Sequence, residues 1–239
     1  MIYLMSDIHG EKKAFDRMLK KIKFNPFEDQ LIIIGDVLDR GEDGLALLFD
    51  LMPWIEEGSV ILLKGNHELF CELWMQEQIS DARWSVFGGE DTLQQITKLS
   101  EEEREKLLSF FQSLPHYLCL DTEAFGKTVI THTGIHCDYY CYREDGRIDV
   151  EKSIKLAIRQ NEYQYLLSTD VHFAAIGDKR KWDRYIICGH VPTFHLHEGT
   201  SNKIYKDHYM MDIDCGSGYR DQGGVLGCYC LENGKEYYV

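Results

Sequence analysis

Apolar residues in the N-terminal third fall into two alternating periods. Unbroken apolar runs at Ile2–Met5, 31–34 and 60–63 read as buried strands. Between them, 11–23 carries Phe15, Met18, Leu19 and Ile22 on one helical face, and 43–56 carries Leu48, Leu51, Met52 and Ile55. A further helix is predicted from about Leu69. Strand, helix, strand, helix, strand is the order of parallel crossover units in a sheet.

The middle of the chain changes character. Ser100 followed three residues later by Glu103 is a capping-box pattern, opening a helix through about Gln112 that Pro115 stops. The stretch 80–115 therefore reads as a helical insertion on the edge of the sheet. Strands are predicted at 117–120, 128–131, Tyr185–Cys188, 210–213 and 225–231, with a helix over 153–167. Asn233-Gly234 is a two-residue hairpin signal before a last strand to Val239. The pattern predicts one α/β domain over 1–239, layered α/β/α or as two packed sheets, turning antiparallel towards its end.

Composition narrows the function. The 239 residues hold 40 acidic and 26 basic side chains, a net charge of −14. That excludes a protein that coats nucleic acid, which needs clustered Lys and Arg. A small phosphate substrate stays open, provided the field at its site is positive. No apolar run approaches the ~20 residues of a membrane span. The apolar start at Met1 has no basic flank and meets Asp7 at once, so it does not read as a signal peptide. Eight scattered cysteines form no Cys-x-x-Cys pair and read as free thiols of a reducing compartment, predicting a cytoplasmic protein with no membrane partner.

The chemistry concentrates where strands end. The first three strands run into Ser6-Asp7-Ile8-His9-Gly10, Gly35-Asp36-Val37-Leu38-Asp39-Arg40-Gly41 and Lys64-Gly65-Asn66-His67-Glu68. In a parallel sheet these loops share the carboxyl edge, where α/β proteins bind ligands. Two later strands end in His132-Thr133-Gly134 and Gly189-His190-Val191-Pro192-Thr193. Together they offer Asp7, His9, Asp36, Asn66, His132 and His190, a mixture of carboxylate, imidazole and amide oxygen suited to divalent metals. Core strands seldom end in two carboxylates and an arginine without a use for them, and five such loops exclude a purely structural explanation.

The ordered motifs SDIHG, GDVLDRG, GNHE, HTG and GHVPT resemble the phosphoprotein phosphatase family of metallophosphoesterases, in particular its small bacterial and phage members. They span 6–193, and Ile213-Asp214-Cys215-Gly216 is similar to the family's closing strand. The resemblance implies a metallophosphoesterase-like fold, a central mixed β-sandwich flanked by helices in four layers, α/β/β/α. It implies two divalent ions, Mn²⁺ first, with Fe or Zn as alternatives. Asp7 and His9 would hold one, Asn66, His132 and His190 the other, and Asp36 would bridge. A hydroxide between the ions would attack phosphorus directly, without a phosphoenzyme.

By the same match His67 is the general acid, paired with Asp39, since a neighbouring carboxylate favours the charged imidazole. Arg40 would fork onto phosphate oxygens, with Asn66 beside it. Glu68 supports its loop rather than binding metal. The sequence departs from the family after 165–168, where Thr169 stands in place of a second phosphate-binding arginine. Arg143, Arg180 and Arg184 are the candidates to replace it. Of the remaining histidines, His195 and His197 alternate as on a strand; these two, with His116, His136, His172 and His208, read as surface or hydrogen-bonded core residues. Tyr139, Tyr140 and Tyr142 either line a substrate groove or pack.

The expected activity is hydrolysis of phosphomonoesters, with phosphoserine, phosphothreonine or phosphotyrosine in proteins as first substrate class and small phosphoesters beside them. The alternative is a dinucleoside polyphosphate or nucleotide hydrolase. A third reading, a catalytically weak phosphate-binding regulator, is disfavoured by the intact set of metal ligands with His67, Asp39 and Arg40.

Overall fold

The structure is a computed structural model that describes residues 1–196 and 201–239. The chain runs β1 (Ile2–Met5), α1 (Lys12–Ile22), β2 (Gln30–Ile33), α2 (Gly44–Glu56), β3 (Val60–Leu62) and α3 (Asn66–Met75). Three helices follow, α4 (Asp81–Ser85), α5 (Glu90–Ile96) and α6 (Glu101–Ser113), where the sequence places an insertion. The second half adds β4 (Tyr117–Thr122), β5 (Gly126–Thr131), α7 (Val150–Leu166), α8 (Asp170–Phe173) and β6 (Tyr185–Cys188). It closes with β7 (Tyr205–Lys206), β8 (Met210–Asp212), β9 (Gly227–Cys230) and β10 (Glu236–Tyr238).

These strands form two mixed sheets of five, ordered β10-β9-β1-β2-β3 and β4-β5-β6-β8-β7. Alternation along each strand decides what its side chains cover. Leu4, Ile32, Ile34 and Leu63 of the first sheet meet Ile130, Ile187 and Met211 of the second in one buried cluster between the sheets. Their neighbours Tyr3, Met5, Leu31 and Ile33 face outward against Phe15 and Met18 of α1 and Leu48 and Leu51 of α2. Val129, Ile186 and Met210 point the other way, onto Ile154 and Ala157 of α7. Each fully buried Leu or Ile contributes about 1.5–3 kcal/mol, so a one-residue slip in any central strand is costly. The result is the four-layer α/β/β/α sandwich that the family resemblance implies. Trp84, Ile96, Leu107 and Phe111 of α4, α5 and α6 join the same outer core as α1 and α2.

Three local expectations change. The helix expected from about Leu69 starts at Asn66, because the Glu68 carboxylate accepts the Gly65 N–H (3.0 Å) and Asp36 Oδ1 accepts the His67 N–H (3.0 Å). The last hairpin does not turn on two residues: Cys230 N donates to Lys235 O and Gly234 N to Cys230 O (both 2.9 Å), making Leu231 to Gly234 a four-residue loop. Helix α7 breaks at Asn161 (φ −161°, ψ 88°), whose Oδ1 accepts the Gln164 N–H (3.0 Å) and restarts it. His197 lies outside the described residues, and its expected partner His195 sits in a single turn of 3₁₀ helix.

One buried ion cluster ties the third motif loop to α7. Lys64 Nζ lies 2.6 Å from Glu72 and 2.8 Å from Glu162, and His116 Nε2 is 2.7 Å from Glu162. The bonds from His116 and Lys64 hold the Glu162 carboxyl down at about 2, against 4.5 ordinarily. A depressed carboxylate stabilises the fold above its unfolded value and loses that contribution as pH falls through its folded value. Glu162→Gln should therefore remove part of the acid destabilisation between about 4.5 and about 2. Thermal melts across that window check it; parallel wild-type and variant curves would sink the idea.

Candidate metal and phosphate site

Four loops converge at the carboxyl ends of β1, β2, β5 and β6, joined by the start of α3. Among the described residues, positive φ outside glycine occurs at eight positions, and six of them are here: Asp7, His9, Asp36, Asp39, Arg40 and His190, at 50° to 77°. Each such backbone costs about 1–3 kcal/mol and persists only where its surroundings over-determine it. The short β-strands aim these residues, and neighbouring loops lock them. Glu68, fully buried, accepts N–H bonds from Asp36 (2.8 Å), Val37 (2.9 Å) and Gly65 (3.0 Å), stapling the second loop to the third. Gly65 is needed there because a Cβ would collide with Asp36 Oδ1.

The six expected metal ligands come together. Asp36 Oδ2 lies 3.3 Å from His132 Nε2, 3.8 Å from His9 Nε2 and 3.9 Å from His67 Nε2. Asn66 Oδ1 lies 2.9 Å from both His132 Nε2 and His190 Nδ1. His9 and His132 turn their other nitrogens, both Nδ1, onto the carbonyls of Leu38 (2.9 Å) and Ile34 (2.8 Å). Those bonds fix the tautomer and leave Nε2 to face inward. Asp7 Oδ2 takes bonds from Ser6 Oγ and from the His190 N–H (3.0 Å). Asp7 Oδ1 and His9 Nε2 are buried without a hydrogen-bond partner, 3.9 Å apart.

Donor atoms therefore crowd around two points, with Asp36 shared. His9, Asp36 and His67 place nitrogen or oxygen atoms within 4.8 Å of one another, and Asp36, His132 and His190 do the same. Orphaned inward-facing atoms of a carboxylate and an imidazole are what a cation would satisfy, so these residues fit a pair of divalent ions.

The electrostatics divide the donors. Burial raises the Asp7 carboxyl well above its usual range, and Asp214 adds to it. Burial also pushes Asp36 upward, but His132, His67 and His9 outweigh that and hold it well below. His132 stands at about 10 because Asp36 overcomes its burial. Burial lowers His9 and His190 well below the ordinary histidine value, with Arg40 adding at His9 and His132 at His190. A neutral imidazole and a charged carboxylate are the forms that ligate metal, so His9 and His190 stand ready, whereas Asp7 and His132 would release a proton to a cation.

Beside this cluster stands a second group. His67 Nδ1 lies 2.7 Å from Asp39 Oδ2, and His67 Nε2 lies 3.4 Å from Arg40 Nη2. The Arg40 guanidinium stacks 4.6 Å over the ring of Tyr219, beside Phe194 and His195.

The three candidate replacement arginines are not brought here. Arg184 precedes β6 at its far end and pairs with Glu151 (2.7 Å). Arg143 pairs with Asp183 (2.9 Å) at that same end, and Arg180 is exposed along a separate cavity with Phe173 and Tyr209. Neighbouring acids claim two of them before any phosphate can. Tyr139 packs, with its hydroxyl on Gln164 (2.9 Å), while Tyr142 is exposed.

Sequence reasoning missed Trp84, whose Nε1 donates to Asp39 Oδ2 (2.7 Å). It also missed a closed cluster behind His190. There His172 Nε2 lies 2.8 Å from Gly189 O and 3.1 Å from Asp212 Oδ2, with Cys188 Sγ at 3.6 Å. Cys188 and Asp212 face each other across β6 and β8, a pairing no local spacing signals.

Comparison with known proteins gives the family and the fold. The family described as Calcineurin-like phosphoesterase matches residues 1–213. Serine/threonine-protein phosphatase 2 of Salmonella typhimurium is 32% identical over 149 residues, covering 62% of this chain and 65% of that protein. An asymmetrical bis(5'-nucleosyl)-tetraphosphatase of Anoxybacillus flavithermus is 26% identical, covering 58% and 60%. In each case the match spans less than two thirds of the relative's length. A serine/threonine phosphatase structure from Saccharomyces cerevisiae shares the fold with a TM-score of 0.61 at 20% identity, over 95% of this chain and 71% of that one.

Proposed function

The chain belongs to the calcineurin-like phosphoesterase family, and from that premise we propose that it is a dinuclear metal-dependent phosphatase acting on phosphomonoesters, phosphoserine and phosphothreonine in proteins first. One observation carries the reading. Asp36 is common to two groups of converging metal donors, and an Asp39, His67 and Arg40 group stands alongside.

In this reading Asp7 and His9 would hold one ion and Asn66, His132 and His190 the other, with Asp36 able to serve both. The ions supply Lewis-acid pull on phosphoryl oxygens and a water acidic enough to serve as nucleophile near neutral pH. Arg40 forks onto the phosphate and fixes its orientation beside His67. His67, its ring fixed by Asp39, gives the Nε2 proton to the leaving oxygen as the P–O bond breaks. The reading takes Mn²⁺ first from the family resemblance, with Fe or Zn as alternatives, and imidazole and carboxylate donors without cysteine accommodate all three. Eight free cysteines suit a reducing compartment, and the reading places the enzyme in the cytoplasm. No helix among the described residues is long and apolar enough to cross a membrane.

A second reading keeps the machinery and exchanges the substrate for a dinucleoside polyphosphate. Tyr219, half-buried against Arg40 and next to Phe194, offers a nucleobase an aromatic neighbour beside the phosphate, and relatives named tetraphosphatases favour it. The test is purified protein with Mn²⁺, assayed on phosphoserine peptides, dinucleoside tetraphosphate and an aryl phosphate, with bound metal measured. Peptide turnover supports the first reading. Turnover of the tetraphosphate alone replaces it with the second.

A further inference from the structure

The three helices between α3 and β4 touch the phosphate side of the site through one short segment. Asp39 Oδ2 receives two donors, His67 Nδ1 and Trp84 Nε1, each at 2.7 Å. The Asp39 N–H donates to Thr92 Oγ1 (3.1 Å), and the Arg40 N–H to Gly88 O (2.8 Å). Trp84 belongs to α4 and Thr92 to α5, and both are completely buried. Two residues with strained backbones, Asp39 and Arg40, are thus pinned by residues 84 to 92 as well as by their own loop, where the Gly41 N–H donates to Asp39 O (2.8 Å).

The indole is placed with little freedom. Gly89 passes so close that a Cβ there would collide with the Trp84 ring, and the Trp74 ring tilts against Trp84 at 5.7 Å. A buried indole N–H needs an acceptor. Here the acceptor is the very oxygen that orients His67, while Asp39 Oδ1 has no partner. Packing alone would be served by any large apolar side chain. The two-donor geometry on one oxygen sets the carboxylate's rotamer, and that rotamer sets the imidazole plane.

We infer that Trp84 is a positioning residue for proton donation: its N–H holds Asp39 so that the His67 ring points Nε2 at the departing oxygen, and the inserted helices thereby build the acid half of the site. The inference rests on the reading of His67 as proton donor. In that step the His67 N–H bond breaks, an O–H bond forms on the leaving alcohol, and the imidazole is left neutral against Asp39.

Leaving-group chemistry separates positioning from packing. An alkoxide leaves poorly without a proton, whereas a nitrophenolate leaves without one. Trp84→Phe keeps the ring bulk and deletes the N–H. It should lower kcat on a phosphoserine peptide by ~10-fold or more, the scale of a lost supporting contact, while kcat on nitrophenyl phosphate, KM and bound Mn²⁺ hold nearly constant. Thr92→Val, a separate substitution on α5, should show the same selectivity and serves if Trp84→Phe does not fold. His67→Ala run in parallel distinguishes the failures. Selective loss in His67→Ala with equal or no losses in Trp84→Phe overturns the role of Trp84 alone. Equal losses on both substrates in His67→Ala overturn the proton-donor reading and the inference with it.

Discussion

Replacing His67 with Ala should cut turnover of a phosphoserine substrate by ~10²–10⁴-fold while both ions stay bound, the usual worth of a positioned general acid. The geometry allows two roles for this side chain, and the measurement chooses between them. Its Nε2 lies 3.9 Å from Asp36 Oδ2 and shares a donor group with His9, which would suit a ligand. Its Nδ1, however, is committed to Asp39, and its Nε2 faces the Arg40 guanidinium at 3.4 Å, on the side where phosphate would sit. A divalent ion at Nε2 would set two charges against Arg40, whereas an imidazolium sets one, which Asp39 balances from the other side of the ring. Metal content by elemental analysis alongside turnover decides. If metal is lost together with activity, His67 is a ligand and the acid must be sought elsewhere.

What the sequence made legible follows a physical divide. Asp7, Asp36 and His132 follow, with one residue between, runs such as Leu4-Met5 and Ile32-Ile33-Ile34, and a buried carboxylate or imidazole there has no solvent to account for it. Local order in the chain was enough to mark them. The same alternation set which side chains fill the space between the sheets. Helix α3 was mis-started because its first turn is polar: Asn66, His67 and Glu68 are buried by the site, not by an apolar face. The arginines failed for the opposite reason. Charge alone nominated Arg143 and Arg184, but Asp183 and Glu151 hold them at the far end of β6. Trp84 carried no signal at all, since its partner Asp39 is 45 residues earlier and meets it only in the folded arrangement of α4.

The departure at Thr169 gains meaning from this. It precedes α8, whose His172 turns inward to Gly189 O and Asp212. The segment that would carry a second phosphate-binding arginine is instead spent on backing the His190 loop. In the proposed function Arg40 is then the cation beside His67 that would meet the phosphate, backed by Gly88 O and Tyr219.

Asp36→Asn should abolish binding of both ions, whereas Asp7→Asn should weaken one site alone. Asparagine is the informative replacement at 36, because the residue sits at φ 55° and Asn tolerates that region better than Ala. Its amide oxygen can also keep the His67 N–H bond now made by Asp36 Oδ1 (3.0 Å), so α3 retains its start. What disappears is the charge on which three imidazoles converge, His132 at 3.3 Å, His9 at 3.8 Å and His67 at 3.9 Å. A neutral amide cannot balance two divalent charges at once, and metal assistance is worth several kcal/mol of barrier, so turnover should fall on the order of 10³-fold or more. Titration of the metal-free protein with Mn²⁺, read by calorimetry, gives the stoichiometry directly. Two ions bound tightly to Asp36→Asn with turnover intact would remove Asp36 from the shared position. Loss of one ion in each variant would make Asp36 an ordinary single-site ligand, leaving the two donor groups to be joined by something other than this carboxylate.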